Sequence, residues 1–269
     1  SNYEMLKKLE LDKNDHIELI DELKKNNIEF LSTAFDIYNL DFLLKLNMNR
    51  IKIPSGEITN LPFLKHISSI DMPVILSTGM ADLNEVQDAV DILLSNKLSK
   101  NNLSILHCTS QYPAPFHEIN LHAIKTLKSS FSVDVGYSDH TLGIEASVAA
   151  VALGATIIEK HITLDVNSRG PDHKASIEPD SFRNMISAIR NIEIGLGNGQ
   201  KKPSAAEVEM KNIARKSLVA KKSISKNEIL SEENVIIKRP GNGISPMLIE
   251  EVLGSKAVQS FKEGELIIK

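Results

Sequence analysis

Two histidines are the residues in this chain whose type and spacing most directly suggest chemistry. His140 directly follows the apolar run VDVGYS (133–138) and its aspartate, and His161 lies within the run TIIEKHIT (156–163). If the two runs are consecutive strands, two imidazoles meet in one pocket. Two neutral imidazoles make a platform for a divalent metal, with the remaining positions left to water and substrate oxygen. Such a half-open site polarises a substrate and suits Mn²⁺ or Mg²⁺, with Co²⁺ or Zn²⁺ as alternatives, and the residues alone leave the metal open. A lone histidine more often satisfies a buried polar network, so it is the pair that points to metal.

Lys52 sits in RIKIPS (50–55), and strand alternation turns it to the face opposite Ile51 and Ile53. In a barrel that face is the interior, where a lysine is costly unless it meets an anion. Thr33, Ser55, Ser77 and Ser138 stand at neighbouring strand ends and offer hydroxyls to the same anion, which together reads as a cradle for phosphate or carboxylate. The alternative is a structural ion pair between Lys52 and Glu57 or Glu159. Glu57 itself reads equally as a proton-transfer group or as an acceptor for a sugar hydroxyl. The loop NSRGPDHKAS (167–176), with Asp172, His173 and Lys174, suits the mouth of a site, the alternative being a solvated loop without function. Arg239, in KRPGNGISP, is held on a turn between proline and glycines, rigid enough to reach into another surface. Cys108 reads as a packed thiol, and GLGNGQ (195–200) as a helix stop because it follows a helix.

These residues need a scaffold that gathers strand ends. From 30 to 163 a short apolar strand, a polar turn and an amphipathic helix recur, which predicts parallel strands. The strands are FLSTAF (30–35), RIKIPS, PVILST (73–78), SILHCT (104–109), VDVGYS and TIIEKHIT, with crossover helices such as LNEVQDAVDILLSN and LGIEASVAAVALGA between them. Polar residues collect where each strand ends, the edge that carries the site in a parallel barrel. Six strands fall two short of an eight-stranded (β/α)8 barrel of the TIM type. The expectation is that two strands precede Ser1 and that the chain begins inside a domain. Residues 1–198 are assigned to this α/β barrel, 199–212 to a polar linker containing Pro203, and 213–269 to a small β-rich domain.

Composition fits an ordinary globular enzyme, with 42% hydrophobic and 25% charged residues. A net charge of −4, with basic residues spread along the chain, speaks against nucleic acid as a partner. One cysteine excludes an intrachain disulfide framework, and no apolar run reaches the length that spans a bilayer, so the expected setting is the reducing cytoplasm.

In order, IKIPSGEITNLP, ILSTGM, LHCTSQYPAPF, VGYSDHT, IEKHITLD, GPDHKAS and KRPGNGISP resemble the sialic acid synthase family, which includes N-acetylneuraminate and legionaminic acid synthases. The resemblance covers nearly the whole chain, and the second domain is similar to the antifreeze-like (SAF) domain of these enzymes. It implies a transferase that condenses phosphoenolpyruvate with N-acetylmannosamine or a 2,4-diacetamido-6-deoxy hexose. The products would be a nine-carbon 2-keto acid and free phosphate. By the same resemblance, His140 and His161 hold the metal, and Lys52, Thr33, Ser55, Ser77 and Ser138 grip phosphoenolpyruvate. Thr109 stands where some members have Asn. Glu57, Tyr112 and Asp172 match positions near the sugar, and SQYPAPF leans towards the legionaminic branch over the N-acetylneuraminate and pseudaminic ones. Arg239 matches an arginine inserted by a partner subunit, which implies a domain-swapped homodimer. Family members begin with two further strands bearing an acidic residue, an Asn-His-Asn-Gly-type turn and another phosphate-binding lysine, which do not occur here.

Two other readings compete. A different phosphate-binding barrel lyase or aldolase would share the cradle and the metal but not the C-terminal domain. A noncatalytic sugar-binding protein would not need His140, His161, Lys52 and Glu57 together.

Overall fold

Alternating apolar residues between 51 and 160 build a parallel sheet in which each strand pairs with the next. Its five strands are β1 (Ile51–Ile53), β2 (Val74–Ser77), β3 (Leu103–Cys108), β4 (Asp134–Asp139) and β5 (Ile158–Lys160). The structure, a computed structural model, describes residues 2–269. The register runs Lys52↔Ile75, Leu76↔Ile105, Cys108↔Ser138 and Ser138↔Glu159. Helices α1 (Asn2–Lys7), α2 (Lys13–Lys25) and α3 (Ile37–Lys45) precede the sheet. Helices α4 (Leu61–Ser68), α5 (Leu83–Leu94), α6 (Ala123–Phe131) and α7 (Glu145–Ala152) make the four crossovers, and α8 (Pro179–Leu196) follows.

The crossover helices form for local reasons. Asp82 and Glu85 close a capping box at the start of α5, and its buried Val86, Ala89, Val90 and Leu93 make one stripe at helical spacing. In α7 the buried residues Ala146, Ser147, Ala150 and Val151 are small, which lets this helix lie close to the sheet.

The two faces of the sheet differ in kind. Ile51, Ile53, Val74, Leu76, Ile105, Val135 and Tyr137 join Phe63, Leu64, Ile67 and Val90 of the helices in the main core. Each such side chain contributes about 1.5–3 kcal/mol on burial. The alternate residues Lys52, Ile75, Ser77, Leu106, Cys108 and Ser138 are buried outside that cluster, on the opposite face. Gly136 belongs to this second face, and a Cβ there would stand 2.5 Å from the Ile157 carbonyl oxygen.

Three expectations are corrected. FLSTAF contributes only one bridge, Thr33↔Lys52, because single-sided pairing over one residue supports no ladder. Regular pairing in TIIEKHIT stops at Lys160, so His161 follows the strand, and Ile162 bridges instead to Ile177. Among the described residues the sheet therefore stays open, with a single-residue bridge extending each edge. Finally, the stretch 199–212 is not a bare linker, since it holds most of helix α9 (Ala205–Ala214). Ser204 and Glu207 cap that helix reciprocally, and the Asn212 carbonyl accepts from Gly241 N–H at 2.7 Å.

The chain divides into two compact units, one ending at Gly197 and the other spanning Asn198–Lys269. The second contains the antiparallel pair β6 (Ser217–Ala220) and β7 (Val235–Lys238) and a short helix, α10 (Ile249–Val252). Isolated bridges such as Ile224↔Phe261 surround a core of Leu218, Leu230, Val235, Phe261 and Ile267. No helix among the described residues is long and apolar enough to cross a membrane.

Candidate active site

Alternation brings Lys52, Ser77, Cys108, Ser138 and Glu159 to one face of the first unit. Lys52 is 7% exposed, and its Nζ lies 3.2 Å from Glu159 Oε2. Glu159 Oε1 accepts from Ser138 Oγ at 2.6 Å, so both oxygens of this carboxylate face the site. Of the two ion-pair partners considered for Lys52, the structure selects Glu159. Glu57 instead accepts from Asn60 Nδ2 at 2.6 Å, in the short turn that follows β1.

Hydroxyls and the Cys108 thiol stand at the strand ends of this face. Ser55 Oγ accepts from Gly79 N–H at 3.0 Å and lies 3.2 Å from Cys108 Sγ. A Cβ on Gly79 would stand 2.8 Å from Ser55 Oγ and 2.9 Å from Cys108 Sγ, so only glycine lets this backbone approach. Ser77 Oγ is buried and has no hydrogen-bond partner. A buried hydroxyl without a partner is uncommon and leaves a bond free for a water or a ligand oxygen. Thr33 reaches the group through its backbone bridge to Lys52. Burial pushes the Cys108 thiol above its ordinary pKa, which keeps it neutral and unsuited to nucleophilic work.

The two imidazoles come together beside these groups. The ring centroids of His140 and His161 are 5.4 Å apart and nearly perpendicular, with the Tyr112 ring 4.2 Å from His140 and 5.5 Å from His161. His140 Nδ1 lies 2.7 Å from the Thr109 carbonyl, which only accepts, so Nδ1 carries the proton. Nε2 therefore presents a lone pair. Ser138 Oγ is 3.3 Å from it, but the single serine hydrogen is given to Glu159, the closer and charged acceptor. Burial, and secondarily the neighbouring His161, hold His140 below the usual imidazole pKa and favour the neutral ring. Metal–nitrogen bonds of about 2.0–2.1 Å from two rings at this separation can meet on one ion. The residues present thus fit a two-histidine platform. Among the described residues no group of three His, Cys, Asp or Glu side chains converges on such a point.

Of the remaining predicted residues, Asp172, Thr109 and Tyr112 stand beside the two histidines. Asp172 Oδ2 is 3.9 Å from His161 Nδ1, beyond hydrogen-bond range, and Asp172 sits in a left-handed conformation with φ 63°. Its loop is pinned by Thr163 Oγ1 to His173 Nδ1 at 2.8 Å and by Ser176 Oγ donating to the Asp172 carbonyl at 2.8 Å. Thr109 contributes its carbonyl to His140, while its hydroxyl lies 3.4 Å from the Glu118 carbonyl. Tyr112 is half-exposed, and burial of the rest raises its phenol pKa. Arg239 belongs to the second unit, where its Nε donates to the Ala214 carbonyl at 3.0 Å and the side chain is otherwise exposed.

Sequence reasoning underrated three residues. Glu159 figured only as an alternative partner for Lys52, and Asp139 and Lys160 carried no expectation at all. The available signal was their place, one or two residues before each histidine on adjacent strands.

Residues 1–201 match the NeuB family and residues 215–268 the SAF domain. N,N'-diacetyllegionaminic acid synthase of Campylobacter jejuni subsp. jejuni serotype O:2 is 55% identical over 267 residues, 99% of this chain and 80% of that protein. The enzyme of the same name from Legionella pneumophila subsp. pneumophila is 45% identical over 271 residues, covering 100% of this chain and 76% of its own. The crystal structure of N-acetylneuraminic acid (sialic acid) synthetase from Leptospira borgpetersenii serovar Hardjo-bovis, in complex with citrate, aligns with a TM-score of 0.72. It is 38% identical over 77% of this chain and 72% of that one. The lysine and hydroxyl face, the paired imidazoles and the second unit thus lie in a chain that belongs to the NeuB family and carries a SAF domain.

Proposed function

We propose that this protein condenses phosphoenolpyruvate with an open-chain 2,4-diacetamido-6-deoxy hexose, giving a nine-carbon diacetamido 2-keto acid of the legionaminic type and free phosphate. The single observation that carries this reading is the buried Lys52 and the partnerless Ser77 hydroxyl on the same sheet face as the His140–His161 pair. One part suits a doubly anionic substrate, the other a carbonyl. The choice of sugar rests on the 55% identity to the Campylobacter N,N'-diacetyllegionaminic acid synthase, with N-acetylmannosamine as the competing substrate.

Lys52, Ser55, Ser77, Ser138 and Thr33 bind the phosphate and carboxylate of phosphoenolpyruvate by charge-assisted hydrogen bonds. Thr109, Tyr112 and Asp172 orient the sugar, and Glu57 holds or moves a proton at a sugar oxygen. His140 and His161 hold a divalent ion, Mn²⁺ first and Mg²⁺ or Co²⁺ as alternatives, through lone pairs such as that of His140 Nε2. When bound, such an ion supplies polarisation of the sugar aldehyde. The enol double bond provides the pair for the new C–C bond, water adds at the former enol carbon, and phosphate leaves with its bridging oxygen pair. Arg239 is assigned to the active site of a partner subunit in a domain-swapped homodimer. The lone, buried thiol of Cys108 is compatible with the cytoplasm, to which we assign the reaction.

Phosphate release tests the proposal. The protein with phosphoenolpyruvate, Mn²⁺ and the diacetamido sugar is expected to release phosphate, to release less with N-acetylmannosamine, and to stop with EDTA. Release that is indifferent to the sugar would overturn it.

A further inference from the structure

Strands β4 and β5 end on an ion pair that faces away from the substrate side. Asp139 Oδ2 and Lys160 Nζ are 2.9 Å apart, both side chains are 0% exposed, and the two residues are directly paired in the sheet register. The next residue on each strand's path is a histidine, His140 and His161. Strand alternation thus puts the charges on the helix side and the imidazoles on the site side.

The pair is tied to the backbone around His140. Asp139 Oδ1 accepts from Thr141 N–H at 2.9 Å and from Thr141 Oγ1 at 2.8 Å, which closes a turn across His140. Asp139 Oδ2 accepts from Ser147 Oγ at 2.6 Å as well as from Lys160. Lys160 Nζ also donates to the Thr141 carbonyl at 2.6 Å. One ammonium therefore grips the residues on both sides of His140 and is itself the residue before His161. Replacing a buried ion pair by apolar groups is often neutral for stability. A network in which both carboxylate oxygens accept two bonds each is better suited to fixing geometry.

We infer that Asp139 and Lys160 are positioning residues that set the spacing of His140 and His161 so that both rings reach one divalent ion. The inference rests on the two-histidine reading above. Partners behind metal ligands typically contribute 10–100-fold to metal affinity.

The test is Mn²⁺ binding by the full chain, read from the EPR signal of free Mn²⁺, beside thermal unfolding. The proteins are wild type, H161A, S147A and the double variant D139N/K160M, which removes both charges together. The double variant is expected to keep its fold while its Mn²⁺ dissociation constant rises about 10–100-fold, and S147A is expected to raise it a few-fold. A second readout needs no metal. Long-range ¹H–¹⁵N correlations of the imidazoles should report His140 protonated at Nδ1 in wild type and a tautomer mixture in the double variant. Wild-type affinity and tautomer in a folded double variant overturn the positioning role and leave the metal site standing. Equal Mn²⁺ binding by wild type and H161A overturns the two-histidine reading, and the inference with it. If the double variant does not fold, S147A decides by the same two readouts, and wild-type values in both overturn the inference.

Discussion

Lys52 Nζ and Glu159 Oε2 stand 3.2 Å apart across the site face, the lysine almost wholly buried and the carboxylate partly open. The cation proposed to meet an anionic substrate is thus already met by a protein carboxylate. Substrate binding must share or displace that contact. Glu159→Gln keeps the shape and an acceptor for Ser138 but leaves the lysine charge uncompensated. It should lower stability by roughly 1–3 kcal/mol, the range for a buried group stripped of its partner. Phosphoenolpyruvate, by supplying the lost charge, should raise the melting temperature of E159Q more than that of wild type. Equal protection of the two proteins by phosphoenolpyruvate would show that the substrate does not reach Lys52.

Ser77 should behave in the opposite sense. Its hydroxyl is buried with no partner, so Ser77→Ala removes an unsatisfied group rather than a bond. The free protein should be unchanged or more stable by about 1 kcal/mol. The KM for phosphoenolpyruvate should rise on the order of 3–10-fold, the value of one hydrogen bond. A loss of stability with an unchanged KM would place Ser77 in the structure rather than in the cradle.

Which features were legible in the sequence follows from how local each signal is. Lys52 between two isoleucines is a pattern of a few residues, and the sheet places it as alternation demands, whereas His161, read within a strand, follows the end of β5. The pairing of Asp139 with Lys160 is different in kind. It depends on register, and a slip of one residue would set Asp139 against Glu159 instead. Glu159 could not be separated from Glu57 as the partner of Lys52, because that choice is made between strands distant in the chain. Helix α9 is a case where the signal was present and outweighed. The Ser204…Glu207 spacing is a capping box, but Pro203 and the glycines before it suggested a linker. FLSTAF looked like a strand in composition and makes a single bridge, since strand composition supplies no partner.

His107 carries a pH prediction. It lies on the helix side of β3, stacks on Tyr137 at 5.8 Å, and its Nε2 donates to the Ile119 carbonyl at 2.7 Å. Burial lowers its pKa, so the unfolded chain binds a proton that the folded one resists. Stability therefore falls as pH drops from the ordinary imidazole value of about 6.5 towards the lowered folded value. The largest slope from this one group is about 1.4 kcal/mol per pH unit. His107→Gln, whose amide can still donate to Ile119, should flatten the decline in melting temperature as pH falls below about 6.5. An unchanged slope in H107Q would assign the acid sensitivity elsewhere.

Arg239 can be tested by mixing chains, because its proposed action in a partner's site makes a prediction that action in its own site does not. Two variants expected to be inactive, H140A and R239A, are assayed alone, then unfolded and refolded together in equal amounts. A mixed dimer contains one barrel with intact His140, and in the swapped arrangement that barrel receives Arg239 from the H140A chain. The other barrel lacks His140 and stays silent. Random pairing makes about half of the dimers mixed, and each has one working site of two, so about a quarter of wild-type activity should return. If Arg239 serves its own chain, the intact barrel still lacks its arginine and the mixture stays as inactive as either variant alone. Refolded wild type sets the scale, and size-exclusion chromatography of the mixture confirms that dimers have formed. Activity near a quarter selects the swapped dimer, and activity at the level of the separate variants rejects it.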